Sequence, residues 1–259
     1  MIKKEDILAD LHTHTTFSEH AFSTIKENID ELKKLGHYEF IAVTDHYFGG
    51  NSDIEDKNIK ARMCYCKGRF NREDNGISVI NGGEFNFRHY PNTLDELSGV
   101  DWRLIGVHSW FLDIPNTTLD ELKDEIMLAF SMPFFKNGAL AHIERDLHKL
   151  NGGKYGTDIG PEIAIFLEDI VHFCKDFDIY MEVNESTLFM NDGGSVDRLK
   201  YWLSIAKRNG NKLCLGTDAH VCYEVGKFDG VLQLLNDMDY PKELILNCDR
   251  DKLVELKNR

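Results

Sequence analysis

About seven times along this chain a short apolar run gives way to a stretch whose apolar residues recur at helical spacing, and most runs stop at a histidine or a carboxylate. The runs centre on Ile7–Leu11, Tyr38–Val43, Ile77–Ile80, Leu104–Val107, Ala139–Ala141, Ile179–Asn184 and Lys212–Leu215. After the first, Ser23-Thr24 with Glu27 forms a capping pattern, Ile25, Ile29, Leu32 and Leu35 mark a helical face, and Gly36 ends it. Similar stripes follow at Leu119–Phe130, Ile163–Cys174 and Val196–Ala206, with a charged helical stretch over 53–75 and two helical segments around Leu244-Ile245-Leu246. This alternation predicts an α/β fold with a parallel sheet and helical crossovers. In a barrel of that kind the functional groups gather at the C-terminal ends of the strands, and in a doubly wound sheet along a crevice.

Either arrangement brings one set of residues together. His12 and His14 close the first run, His46 the second, Glu84 the third, His108 the fourth, His142 the fifth, and Asp218 with His220 the seventh; His20 stands on the first loop. Residues two apart on a strand point the same way, so Asp10, His12 and His14 are expected to project from one face. Buried imidazoles and carboxylates are costly unless they are paired or bind a metal. Nine nitrogen and oxygen donors, at three or four per ion, predict two to three divalent metals, and a donor set without thiolate suits Zn, Mn or Fe. His37, His89, His148 and His172 fall outside the pattern.

A chain of 259 residues with 42% hydrophobic content can bury a large core, and about 250 residues is the usual size of one α/β barrel, so a single domain spanning 1–259 is expected. The net charge of −14 argues against a nucleic-acid-coating surface, which needs clustered Lys and Arg. No apolar stretch approaches the roughly 18 residues of a membrane span, and Met1–Asp6 leads into no apolar signal region, so a cytoplasmic protein is expected. The six cysteines are scattered and read as free thiols.

Several motifs resemble those of the PHP (polymerase and histidinol phosphatase) metal-dependent phosphoesterases, and more closely the stand-alone phosphatases of that superfamily. Asp10-Leu11-His12-Thr13-His14 with Ser18 and His20 resembles the first family motif, and Thr44-Asp45-His46 the second. Glu84 and His108 match the third region, Gly216-Thr217-Asp218-Ala219-His220 the fourth, and His142 the remaining ligand position. His20–Thr24 and Val225–Phe228 are similar to the stand-alone enzymes rather than to polymerase-attached domains; Ile143 after His142 and an enlarged loop over 144–160 depart from the pattern. The resemblance implies a distorted (β/α)7 TIM-like barrel holding up to three ions. By position, His12, His14, Glu84 and Asp218 would hold one, Glu84, His108 and His142 a second, and His20, His46 and His220 a third.

The activity so implied is hydrolysis of a small phosphate monoester, histidinol phosphate among the candidates, by a hydroxide bridging two ions. Glu84 and Asp218 would serve catalysis through the metals, and Arg62 would stabilise the phosphoryl oxygens, with a solvated helix-face charge as its plainer alternative. Arg145 is a weaker candidate for the same task, Asp10 is expected to orient a ligand histidine, and Asn184 to line the pocket. Two other readings compete: an amidohydrolase-like metallohydrolase, which usually needs a bridging lysine in mid-barrel, and a non-catalytic metal-binding scaffold.

Overall fold

The computed structural model describes residues 1–47, 70, 76–87, 99–108, 116–190 and 192–258. Eight parallel strands form one sheet: β1 (Ala9–Thr13), β2 (Phe40–Val43), β3 (His46–Tyr47), β4 (Ser78–Asn86), β5 (Trp102–Gly106), β6 (Ala139–Ala141), β7 (Tyr180–Asn184) and β8 (Leu213–Gly216). Their order is β1-β2-β4-β5-β6-β7-β8, with the two-residue β3 beside β4. The barrel nearly closes where β8 meets β1, through a Thr13–Ala219 bridge, Asp218 N–H donating to His12 O at 2.8 Å and His14 N–H to Ala219 O at 2.9 Å. The distorted seven-strand barrel expected from sequence is therefore the fold, with β3 as an added short segment.

Strand alternation divides the interior. Ala9, Leu11, Phe40, Ala42, Ile80, Trp102, Leu104, Ala139, Ala141, Tyr180 and Cys214 form one buried cluster, capped by Leu246 and by Leu253 and Leu256 of α7 (Arg250–Lys257). These fill the lower barrel, and α7 lies across the strand starts, where Lys257 donates to Ser78 Oγ at 3.0 Å. Intervening strand residues such as Ile41, Val43, Val79, Ile105, Leu140, Met181, Val183 and Leu215 face outward onto the helices. Those helices are α1 (Ile25–Leu35), α2 (Leu119–Ser131), α3 (Pro161–Asp176), α4 (Glu185–Met190), α5 (Ser195–Asn209) and α6 (Asp229–Asp237). In α1 the cap is Thr24, paired reciprocally with Glu27, and Gly36 closes the helix at φ 81°. None of the described helices is long and apolar enough to cross a membrane.

Three local expectations change. The third apolar run is expected to close at Glu84, but β4 continues through Gly82-Gly83 to Asn86, so Glu84 lies inside a strand. Gly82 leaves space within that strand: a Cβ there would stand 2.7 Å from Thr44 Cγ2 and 3.1 Å from Val43 O. The tail around Leu244–Leu246 forms short 3-10 turns, and the two helices, α6 and α7, flank it. The segment 144–160 contains 3-10 turns within Asp146–Gly153, interrupted by a kink at Leu150, Asn151 and Gly152 and anchored by buried Leu147 and Leu150. The helix expected over 53–75 falls outside the described residues except for Phe70.

Candidate metal centre

All nine donors named from sequence converge at the C-terminal mouth of the barrel. Glu84, fully buried on β4, sits at the centre. Its Oε1 lies 2.9 Å from His142 Nε2 and 3.0 Å from His108 Nε2; its Oε2 lies 2.9 Å from His46 Nδ1, 3.3 Å from His12 Nε2 and 3.4 Å from His14 Nε2. Asp218 Oδ1 lies 3.1 Å from His14 Nε2, and His220 Nε2 is 2.9 Å from His20 Nε2. His14 stacks between His46 and His220, with ring centroids 4.5 and 4.4 Å away. Among the described residues, four overlapping triads have donor atoms within 4.8 Å of one another: His12–His14–Glu84, His46–Glu84–His108, His14–His46–His220 and His12–His142–Asp218. The donors thus form one continuous patch.

Local sequence explains the room for this crowd. One step above the apolar layer, β5 carries Gly106, where a Cβ would stand 2.8 Å from His108 Cε1 and 3.0 Å from His142 Cε1. Likewise β8 carries Gly216, where a Cβ would collide with Glu182 Oε1 and His12 Cβ. His142 and Asp218 both hold positive φ, 30° and 57°, a conformation that side-chain-bearing residues adopt at a cost and that concentrates at functional sites.

Hydrogen bonding shows what the cluster is arranged to bind. His12 Nδ1 lies 2.6 Å from the Glu182 carboxylate, which can only accept, so Nδ1 carries a proton and the neutral ring presents Nε2 as a bare lone pair; the carboxylates of Glu182, Glu84 and Asp218 around it favour a positive charge at this position. The Ser18 hydroxyl donates to Asp45 Oδ1 at 2.7 Å and therefore accepts from His14 Nδ1 at 3.0 Å, which leaves His14 Nε2 bare as well. These two lone pairs face each other at 3.0 Å. His220 Nδ1 donates to Asp218 O at 2.8 Å and His108 Nδ1 to Asn86 Oδ1, so their Nε2 atoms also point bare into the cluster. Glu84 Oε2 is buried and makes no hydrogen bond, although the bare Nε2 atoms of His12 and His14 lie close. Converging lone pairs and an orphaned carboxylate oxygen repel one another unless a cation lies among them, so the donor set fits divalent metal.

Electrostatics agree. Burial alone would push the Glu84 carboxyl up, but His108, His46 and His12 beside it hold it well below the usual range. Asp218 behaves alike: burial is outweighed by His12, Arg145 and His14. Both carboxylates are therefore anionic at neutral pH. For His14, burial and the neighbouring His46 depress the pKa well below the ordinary value and keep the ring neutral, as a ligand requires.

Two of the remaining sequence candidates have other partners than expected. Asp10 touches no imidazole; it accepts from Thr217 Oγ1 at 2.6 Å, Gly226 N at 2.9 Å, Thr217 N at 3.1 Å and His12 N at 3.3 Å, tying β1 to the segment after β8. The ring-orienting task expected of it belongs to Glu182, one strand over, whose carboxylate reaches His12 Nδ1. Arg145 lines the mouth, but its donors are engaged: Nη1 with Asp218 Oδ2 at 2.7 Å, Nη2 with Asn184 Oδ1 at 2.8 Å and with Ser186 Oγ, and Nε with Thr187 Oγ1 at 3.0 Å. It fixes the outer oxygen of Asp218. Asn184 stands at the end of β7 between Arg145 and Glu182. Arg62 lies outside the described residues.

Sequence reasoning gave no role to Glu182, Asp45 or Asn86. Glu182 could have been found, because it precedes Asn184 by two on a strand and shares its face. Ser18 and Asp45 were visible within the motifs but not as partners of each other. Beyond the donors, the mouth opens into a cavity of about 520 Å³ whose outer wall includes Ser186, Phe189, Met190, Glu224 and Lys227.

No family model matches the chain. A probable phosphatase of Clostridium acetobutylicum is 29% identical over 255 residues, covering 96% of this chain and 93% of that one. A probable phosphatase of Caldanaerobacter subterraneus is 27% identical over 261 residues, 95% of this chain and 89% of the other. Among solved structures, histidinol phosphate phosphatase of Lactococcus lactis, complexed with zinc, L-histidinol and phosphate, superposes with a TM-score of 0.56 at 19% identity, over 92% of this chain and 94% of that chain. The putative histidinol phosphatase of Listeria monocytogenes gives 0.59 at 13% identity, over 87% of this chain and 99% of that one. The likeness to probable phosphatases extends along nearly the whole chain, and the barrel of the two histidinol phosphatase structures is the fold of this chain.

Proposed function

We propose that this chain hydrolyses a small phosphate monoester at a centre of two to three divalent ions. The observation that carries the reading is the pair of bare Nε2 lone pairs on His12 and His14, 3.0 Å apart and close to the orphaned Glu84 oxygen. With both rings neutral, as ligands require, a cation between them satisfies that arrangement. By position, His12, His14, Glu84 and Asp218 would hold one ion, Glu84, His108 and His142 a second, and His20, His46 and His220 a third. Divalent ions so held polarise phosphoryl oxygens and lower the pKa of water towards neutrality. No side-chain nucleophile is then needed.

The chain's own residues do the rest. Glu84 places one anionic oxygen towards His108 and His142 and the other towards His46, His12 and His14, offsetting positive charge on both sides. Arg145 holds Asp218 in place and adds positive charge to a cavity that takes an anion. Arg62 is proposed to meet the phosphoryl oxygens from the segment after β3. The apolar surface of Phe189 and Met190 on the outer wall suits the organic part of a small ester. Histidinol phosphate is one such ester, on the likeness to the Lactococcus lactis enzyme.

The test is hydrolysis of p-nitrophenyl phosphate by protein as purified, after chelator, and after refilling with Zn²⁺ or Mn²⁺. Turnover should vanish with chelator and return with metal. A folded, refilled protein that binds metal but cleaves no phosphate ester, histidinol phosphate included, would overturn the reading in favour of a metal-binding scaffold.

A further inference from the structure

We propose that Glu182 is a positioning residue shared by both halves of the metal centre, holding the ring of His12 and the backbone of His142 through its two oxygens. The inference rests on the reading that the cluster binds metal. Glu182 is almost fully buried on β7, above Tyr180 and below Asn184. Its Oε1 accepts from His12 Nδ1 at 2.6 Å; its Oε2 accepts from the His142 backbone N–H at 3.2 Å and from Asn184 Nδ2 at 3.1 Å. Both oxygens are occupied, so Glu182 supports the donors without being one of them.

Its reach covers both sides of Glu84. His12 faces Glu84 Oε2, while His142 faces Oε1. His142 also sits at φ 30°, a backbone state that needs an external hold, and the Glu182 bond supplies one at the residue's own N–H. The chain of bonds continues from Asn184 Oδ1 to Arg145 and from Arg145 to Asp218 Oδ2. His12–Glu182–Asn184–Arg145–Asp218 is therefore one hydrogen-bonded arc, whose ends, His12 Nε2 and Asp218 Oδ1, come back within 3.5 Å of each other. Gly216 keeps space for this contact, since a Cβ there would strike Glu182 Oε1 and His12 Cβ together. A carboxylate at this position fixes the Nδ1–H tautomer of His12 and makes its Nε2 a stronger donor to metal.

The experiment compares wild type with Glu182→Gln and Glu182→Asp. Metal-stripped proteins are titrated with Zn²⁺ against a competing chelator, and folding is checked by circular dichroism. Glu182→Gln should weaken Zn²⁺ binding by about 10- to 100-fold, and kcat on p-nitrophenyl phosphate at saturating Zn²⁺ should fall by less than the affinity does. Glu182→Asp keeps the charge but shortens the reach, and should lose affinity as well. A loss of kcat with affinity intact, or affinity within about twofold of wild type in a folded variant, overturns the proposal. Long-range ¹⁵N–¹H spectra of wild-type histidines give a check that needs no variant: His12 should carry its proton on Nδ1, and a proton on Nε2 also overturns it. Wild type that takes up no Zn²⁺ would instead refute the metal reading itself.

Discussion

Glu84 meets His142 through Oε1 alone, at 2.9 Å, and this leaves Oε2 for the histidines on the opposite side of the cluster. A carboxylate split in this way is placed to bridge two ions, whereas His20 stands at the edge beside His220. Glu84→Gln removes the charge that offsets repulsion between two cations, so more than one metal equivalent should be lost. His20→Ala should lose no more than one. Elemental analysis with circular dichroism decides: equal loss of one ion in both folded variants would leave Glu84 an ordinary single-metal ligand.

Arg62→Ala should lower kcat/KM for phosphate esters while metal content stays intact, because its proposed partner is the substrate oxyanion. Removing a charge-assisted contact made in the transition state costs about 2 to 4 kcal/mol. Steady-state kinetics give the answer, and wild-type values would return Arg62 to the solvated surface.

Gly216→Ala should damage stability and metal affinity together. The added methyl group has Glu182 Oε1 on one side, buried and bonded to His12 Nδ1, and on the other His12 Cβ, which moves only with the backbone of β1. Overpacking of this kind costs about 1 to 3 kcal/mol. Urea unfolding of the metal-free proteins measures the first effect and chelator competition the second; a neutral result in both would mean that β8 shifts freely.

Asp10 gives a pH signature of the opposite sign to most carboxylates. Burial pushes its pKa up to about 6, and the bonds from Thr217 and Gly226 only partly oppose this. The unfolded chain therefore gives up this proton at lower pH than the folded chain, so native stability falls as pH rises from about 4 to about 6 and is level above. A shift of about two units corresponds to about 3 kcal/mol. In metal-free protein the difference in stability between wild type and Asp10→Asn should change across that window and be constant above it. A difference that is flat from pH 4 to 7 would contradict the assignment.

The sequence by itself determined what depends on local pattern. Periods of two and near 3.6 separate strand from helix, so the strand-helix alternation was legible, as was the helix start at Thr24 with Glu27. Because a parallel barrel collects its strand ends at one mouth, the candidate donors could be named without coordinates. Tertiary structure decided what depends on contacts far apart in the chain. It carried β4 through Gly82-Gly83 to Asn86, with Gly82 crowded by Thr44, Val43 and Trp102, which no local pattern records. It also gave the ring of His12 to Glu182, 170 positions away, and turned Asp10 towards Thr217 and Gly226. Which side chain orients which imidazole is set by how the barrel closes, and closure is a property of the whole sheet.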